Sequence, residues 1–163
     1  LPICHSGLEA QTRYALGELS PALDNLSVYA SYAYVNAEIR EKGDTYGNQV
    51  PFSPKHKGTF GVDYKPGSWT FNLNGDFQSS QFADNANTVA ESADGSTGRI
   101  PGYMLWGARV AYDFGPQMAN LNLALGVKNI FDHAYYTRSY DDNNKGLYAG
   151  QPRTLYLQGS MKF

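Results

Sequence analysis

The sequence predicts an all-β protein, an antiparallel sheet whose strands cross a membrane as part of a β-barrel. Three observations carry that expectation. About seven stretches of roughly ten residues alternate apolar with polar side chains. The links between them alternate in length, each short one followed by a long one. Aromatic residues gather near the ends of the apolar faces, where the girdles of a barrel lie.

The first predicted strand runs from Gly7 to Leu16, with Leu8, Ala10, Thr12, Tyr14 and Leu16 opposed to Glu9, Gln11 and Arg13. Leu1 to Ser6 before it reads as loop. A link holding Gly17, Pro21 and Asp24-Asn25 leads to the second, Leu26 to Asn36, which sets Leu26, Val28, Ala30, Tyr32 and Tyr34 against Ser27, Tyr29 and Ser31. Ala37 to Lys55 is a long polar connection broken by Gly43, Gly47, Pro51 and Pro54. Lys57 to Lys65 is the third strand, and Lys65-Pro66-Gly67-Ser68 is a tight turn. The fourth, Trp69 to Gln78, alternates throughout: Trp69, Phe71, Leu73, Gly75 and Phe77 against Thr70, Asn72, Asn74, Asp76 and Gln78. Ser79 to Pro101 is a second long loop. Gly102 to Phe114 and Asn120 to Phe131 are the fifth and sixth strands, joined by Gly115-Pro116-Gln117-Met118. After a third long loop, Asp132 to Pro152, the chain closes with Arg153 to Phe163, where Leu155, Leu157, Met161 and Phe163 share one face.

Why a membrane rather than a protein core? A sandwich has no reason to collect its long loops at one end, whereas a transmembrane barrel has short periplasmic turns and long external loops. With the C-terminus in the periplasm, all three long loops fall outside the cell. The polar faces are rich in Asn, Gln, Ser, Thr and Asp with spaced charges, as expected of a wet lumen. The mean hydropathy is negative, and no run approaches the ~18 apolar residues of a spanning helix. Barrel strands dilute their lipid face with lumen residues, so this does not count against a barrel.

With 13 Lys plus Arg against 15 Asp plus Glu in 163 residues, the charge gives no case for a nucleic-acid partner. Cys4 stands alone, a free thiol unless its partner lies upstream. Seven is odd, bacterial single-chain barrels have even strand counts, and an unpaired edge is not tolerated in lipid. The chain opens on Leu1-Pro2, and the expectation is the C-terminal part of a larger barrel.

Gly126 to Phe163 resembles the TonB-dependent outer-membrane receptors. The features are Val127-Lys128-Asn129-Ile130-Phe131-Asp132, then Tyr135, then Gly150-Gln151-Pro152-Arg153, and a terminal Phe163; Pro51 to Tyr64 fits a second characteristic passage. The resemblance covers essentially the whole chain. It implies that residues 1–163 are the last seven strands of a 22-strand barrel whose N-terminal plug domain is absent from this chain. It further implies uptake of a ferric siderophore, energised by the TonB complex through missing N-terminal regions, and no enzymatic activity or cofactor. Outer-membrane lipid and the barrel-assembly machinery are the other implied partners, the latter reading Phe163 as an insertion signal. The wording of the last loop, Arg138 to Gly146, is nearest to receptors for iron(III) dicitrate. Receptors of this family for another iron chelate, haem or cobalamin, and a small structural or adhesive barrel, are the alternatives.

The candidate site lies in that loop. Asp141-Asp142-Asn143-Asn144 begins like a calcium loop, with Gly146 in sixth place, but Pro152 stands where a bidentate Glu is required. The cluster is therefore either an external turn of turn-forming residues or a loop over substrate. By resemblance Asn143, with Asn144 second, is the amide that donates to a citrate carboxylate or hydroxyl. Arg138 is the nearest cation for an anionic chelate and can bind carboxylate bidentately. Asp141 and Asp142 would pair with Lys145 or Arg138. Arg109, Asp113, Lys128, Asp63 and Asp76 are read as lumen-wall charges paired with each other or with a plug. His5, His56 and His133 share no metal-ligand spacing, and no nucleophile, paired-acid or phosphate-loop constellation stands out.

Overall fold

The computed structural model describes residues 2–93, 95–140 and 146–161, with the backbone alone for 138–140. Among the described residues eleven strands form: β1 (Ile3–Ala15), β2 (Leu26–Ile39), β3 (His56–Tyr64), β4 (Trp69–Gln78), β5 (Gln81–Phe82), β6 (Arg99–Ile100), β7 (Tyr103–Asp113), β8 (Asn122–Lys128), β9 (Tyr136–Tyr140), β10 (Gly146–Ala149) and β11 (Thr154–Ser160). Seven make one antiparallel sheet in the order β1-β2-β3-β4-β7-β8-β11; β5 with β6, and β9 with β10, are small hairpins within the long connections.

Register follows from the alternation. Because side chains repeat every two residues, pairing must keep like faces together across the sheet. Val62 lies opposite Leu73, Phe71 opposite Val110, and Leu125 opposite Leu157. The result is a continuous apolar face with no second layer on it. Leu8, Leu155 and Leu157 are 64%, 73% and 76% exposed. An uncovered apolar face spanning seven strands demands a non-aqueous neighbour. Among the described residues the buried apolar side chains are few: Ala37, Ile39, Ala83, Ile100, Ala111 and Ala124.

Aromatics concentrate toward the strand ends. At the short-link end Trp69 and Tyr112 rings are 4.8 Å apart, as are Tyr112 and Phe114. At the other end the Tyr34 ring meets that of His56 at 5.3 Å, and in mid-sheet Phe60 meets Trp106 edge-on at 5.3 Å. Gly67 takes φ +59° in the tight turn between β3 and β4, a conformation that glycine adopts without strain.

Three expectations need correction. Leu1 to Ser6 is not loop: strand begins at Ile3, because β2 runs on to Ile39 and offers Ile3 through Ser6 a pairing edge. Cys4, exposed, is thus a strand residue. The polar connection begins later than Ala37, since Ala37 and Ile39 are about 1% exposed beneath it, tied by Val50 N–H to Ala37 O and Gly47 N–H to Ile39 O. The second and third long connections, read as irregular, contain the β5–β6 and β9–β10 hairpins. Strands of two to five residues among Ser, Asn and Gly leave too short a period to detect.

Candidate functional site

The opposite face of the sheet is polar and carries its own network. Arg13 on β1 reaches across β2 to Asp63 on β3, Nη1 to Oδ2 2.6 Å. The other oxygen of Asp63 accepts from Asn72 Nδ2 at 2.9 Å, and the same amide donates to the Tyr29 hydroxyl at 3.0 Å. The Arg13 guanidinium also lies 4.9 Å from the Tyr29 ring centroid. Farther along, Asp76 accepts from Thr59 Oγ1 at 2.6 Å and Asn74 Nδ2 at 2.7 Å. Glu9, Gln11, Ser31, Lys57 and Asp76 line a hollow of about 650 Å³ on this side.

Of the five wall charges read from the sequence, Asp63 is ion-paired within the chain, to Arg13, whose role sequence reasoning missed. Asp76 is satisfied by neutral donors, and Asp113 accepts from Gly115 N–H. Lys128 sits 5.8 Å from the Tyr156 ring centroid. Arg109 and Lys128 line a second hollow with Asn72 and Asn74. The signal for Arg13 was available in principle: it and Asp63 share the polar face at the short-link end.

The long connections gather at the other end and are bonded to one another. Asn87 clasps Gln49 from both sides, accepting from its N–H at 2.7 Å and donating to its carbonyl at 2.8 Å. Asn48 Nδ2 donates to Asn85 O, and Phe52 N–H to Phe82 O, both at 2.9 Å. Asp84 organises the middle connection, accepting from Gly98 N–H at 3.1 Å and from the Thr88 hydroxyl at 3.0 Å. Burial pushes its carboxyl up, but these donors, with the Thr88 and Ala86 N–H groups, outweigh it and hold the group below the usual carboxylate range.

The motif residues before the last strand form a tie. Asn129 is 5% exposed and in the left-handed region, which Asn tolerates. It donates to the carbonyls of His133 and Gln151 and accepts from His133 N–H. Asp132 Oδ1 accepts from Arg153 N–H at 2.7 Å, and Gly150 N–H donates to Tyr135 O at 2.7 Å. Thus Lys128-Asn129-Ile130-Phe131-Asp132, Tyr135 and Gly150-Gln151-Pro152-Arg153 are distant in sequence and adjacent in space.

Arg138 lies in β9, its backbone opposite Tyr148 of β10. Asn143, Asn144 and Phe163 lie outside the described residues. Among the described residues no three His, Cys, Asp or Glu side chains group as metal ligands. His56 Nδ1 is hydrogen-bonded to the Tyr32 hydroxyl at 2.7 Å.

A single-layered antiparallel sheet with an uncovered apolar face, a polar opposite face and all its long loops at one end is a wall segment of a transmembrane β-barrel. Residues 5–130 match the family model for the TonB dependent receptor-like β-barrel, and the chain belongs to that family. Membership places it in the outer membrane. A solved structure of the ferric citrate transporter FecA in its unliganded form is 84% identical, with a TM-score of 0.95, over 99% of this chain and 24% of that one. The ferrichrome outer membrane transporter/phage receptor of Escherichia coli K12 is 26% identical over 163 residues, 96% of this chain and 20% of its own length. The metal-pseudopaline receptor CntO of Pseudomonas aeruginosa PAO1 is 28% identical over 143 residues, 86% of this chain and 19% of its own length. The chain spans about a quarter or less of each of these proteins.

Proposed function

We propose that the full-length protein is an active-transport receptor for a ferric siderophore, iron(III) dicitrate, energised by the TonB complex. The observation that carries this reading is the 84% identity to the ferric citrate transporter across 99% of the chain. Residues 1–163 then form the C-terminal part of the barrel domain, with the plug and the TonB-contacting segment upstream. The apolar face meets outer-membrane lipid, the long connections are extracellular and the C-terminus is periplasmic. Phe163 serves as the signal read by the barrel-assembly machinery.

In this reading the chelate, an anion, is met by the stretch of sequence from Arg138 to Asn144. The Asn143 amide donates to a citrate carboxylate or hydroxyl, Asn144 supports it, and Arg138 supplies bidentate positive charge. Binding of iron dicitrate to the full-length receptor, set against other iron chelates, haem and cobalamin, tests the ligand. Preference for another of these would overturn it. Unchanged affinity in Asn143→Ala would overturn the site.

A further inference from the structure

Arg109 and Lys128 are cations on the polar face that the hydrogen-bond network leaves unanswered. Among the described residues the ion pairs are Arg13 with Asp63 and Arg40 with Glu38. Asp76, the carboxylate that shares the hollow of Arg109 and Lys128, is already held by Thr59 and Asn74. The register makes the two cations diagonal neighbours: Arg109 lies opposite Gly126, and Lys128 is two residues farther along β8. Such positions are about 7–8 Å apart. Like charges that close repel, the more so beside a wall of low dielectric. What lies between them is an aromatic ring, not a counter-ion. Tyr156 covers Gly126, and Lys128 Nζ is 5.8 Å from its ring centroid. The hollow they line is about 330 Å³, large enough for a small molecule. Asn129 and Gln151 border it toward the long connections, and Asn72 toward the short links.

We infer that Arg109 and Lys128 form a second anion site, on the lumen wall, that binds the carboxylates of citrate. Charge favours such a ligand over a side chain from elsewhere in the protein. One Asp or Glu brings a single negative charge against two positive ones, whereas citrate brings several on one small molecule. Arg109 can hold a carboxylate with its fork, and Lys128 meets another as a point charge. This inference rests on the reading of iron dicitrate as the ligand and of the polar face as the lumen.

Zero-length coupling in the detergent-solubilised full-length receptor is the test. With citrate in excess, a water-soluble carbodiimide joins the Lys128 amine to a carboxylate it touches, and mass spectrometry of the resulting amide identifies the acid. Citrate should be found on Lys128 at least about fivefold more than on Lys42, which is exposed in the first long connection. Arg109→Gln should lower that yield about fivefold or more, and Arg109→Lys, which keeps the charge, should retain most of it. Coupling of Lys128 to an Asp or Glu of the protein in place of citrate would overturn the inference. So would equal citrate yields at Lys128 and Lys42, or an unchanged yield in Arg109→Gln. Iron dicitrate affinity of the untreated receptor separates this site from the reading it rests on. Tight binding with no citrate on Lys128 removes the lumen site alone, whereas no binding removes both. Should Arg109→Gln not assemble, the comparison of Lys128 with Lys42 in the unaltered receptor decides by itself.

Discussion

The guanidinium of Arg13 and the carboxylate of Asp63 meet at 2.6 Å across an intervening strand, joining β1 to β3 over the top of β2. The pair is lopsided: the Arg13 side chain is 56% exposed and that of Asp63 11%. Its removal should fall between the ~0–1 kcal/mol of an exposed pair and the ~3–5 kcal/mol of breaking a buried one. Arg13→Met in the full-length protein should lower the denaturant midpoint accordingly, and Arg13→Met with Asp63→Asn should cost less than the sum of the two. Additive losses would show that the two groups do not interact.

The assignment of the two faces is open to a direct comparison. Leu157 and Gln158 are neighbours on β11 that face opposite sides. Arg on the lipid side near the bilayer midplane costs roughly 2–4 kcal/mol, whereas lumen substitutions are tolerated. Leu157→Arg should therefore impair folding into lipid vesicles, and Gln158→Arg should leave it nearly unchanged. Equal effects would reject the face assignment.

Gly126 and Tyr156 are cross-strand partners on β8 and β11, and the Tyr156 ring covers the space a side chain at 126 would need. Gly126→Leu should displace the ring and destabilise the last strand pair by about 1–3 kcal/mol. The loss would be read as a lower midpoint in thermal unfolding of the detergent-solubilised receptor. Gly126→Leu with Tyr156→Ala should recover part of it.

Acid should loosen the middle long connection through Asp84. Its folded pKa lies below the usual value, so the carboxylate contributes stability that is complete above the unfolded pKa of ~3.9 and is lost as pH falls through the lower folded pKa. Pepsin cleavage within residues 79–101 should thus stay slow near pH 4 and accelerate at more acid pH. Asp84→Asn should be cut at a rate that changes less with pH across that window.

How far was this legible beforehand? The seven-stranded sheet was, because a period of two sustained over Trp69 to Gln78 or Gly102 to Phe114 has few other solutions. The start of β1 was not. Cys4, His5 and Ser6 carry no apolar alternation, and their pairing is dictated by the length of β2. The rim was readable only as polar loop. Gln81 looks like any amide in a polar stretch, and its burial arises from segments brought together by the sheet. The family motif at Asn129 and Asp132 could be quoted without its reason, since their partners Gln151 and Arg153 lie about twenty residues on. Arg138 was placed on its strand by the structure, whereas Asn143, Asn144 and Phe163 stand on resemblance.

Hydrophobic alternation guards a barrel seam against only half of its possible errors. A slip of one residue between β8 and β11 would turn Leu155 and Leu157 inward and is rejected by the bilayer. A slip of two leaves every apolar side chain facing lipid, and greasiness cannot detect it. What detects it is shape: two steps along, Tyr156 would face Ala124 or Lys128 in place of Gly126, and the Asp132 carboxylate would lose the Arg153 amide. Alternation thus checks only parity, and Gly126 and Asp132 choose among the even registers that parity leaves free.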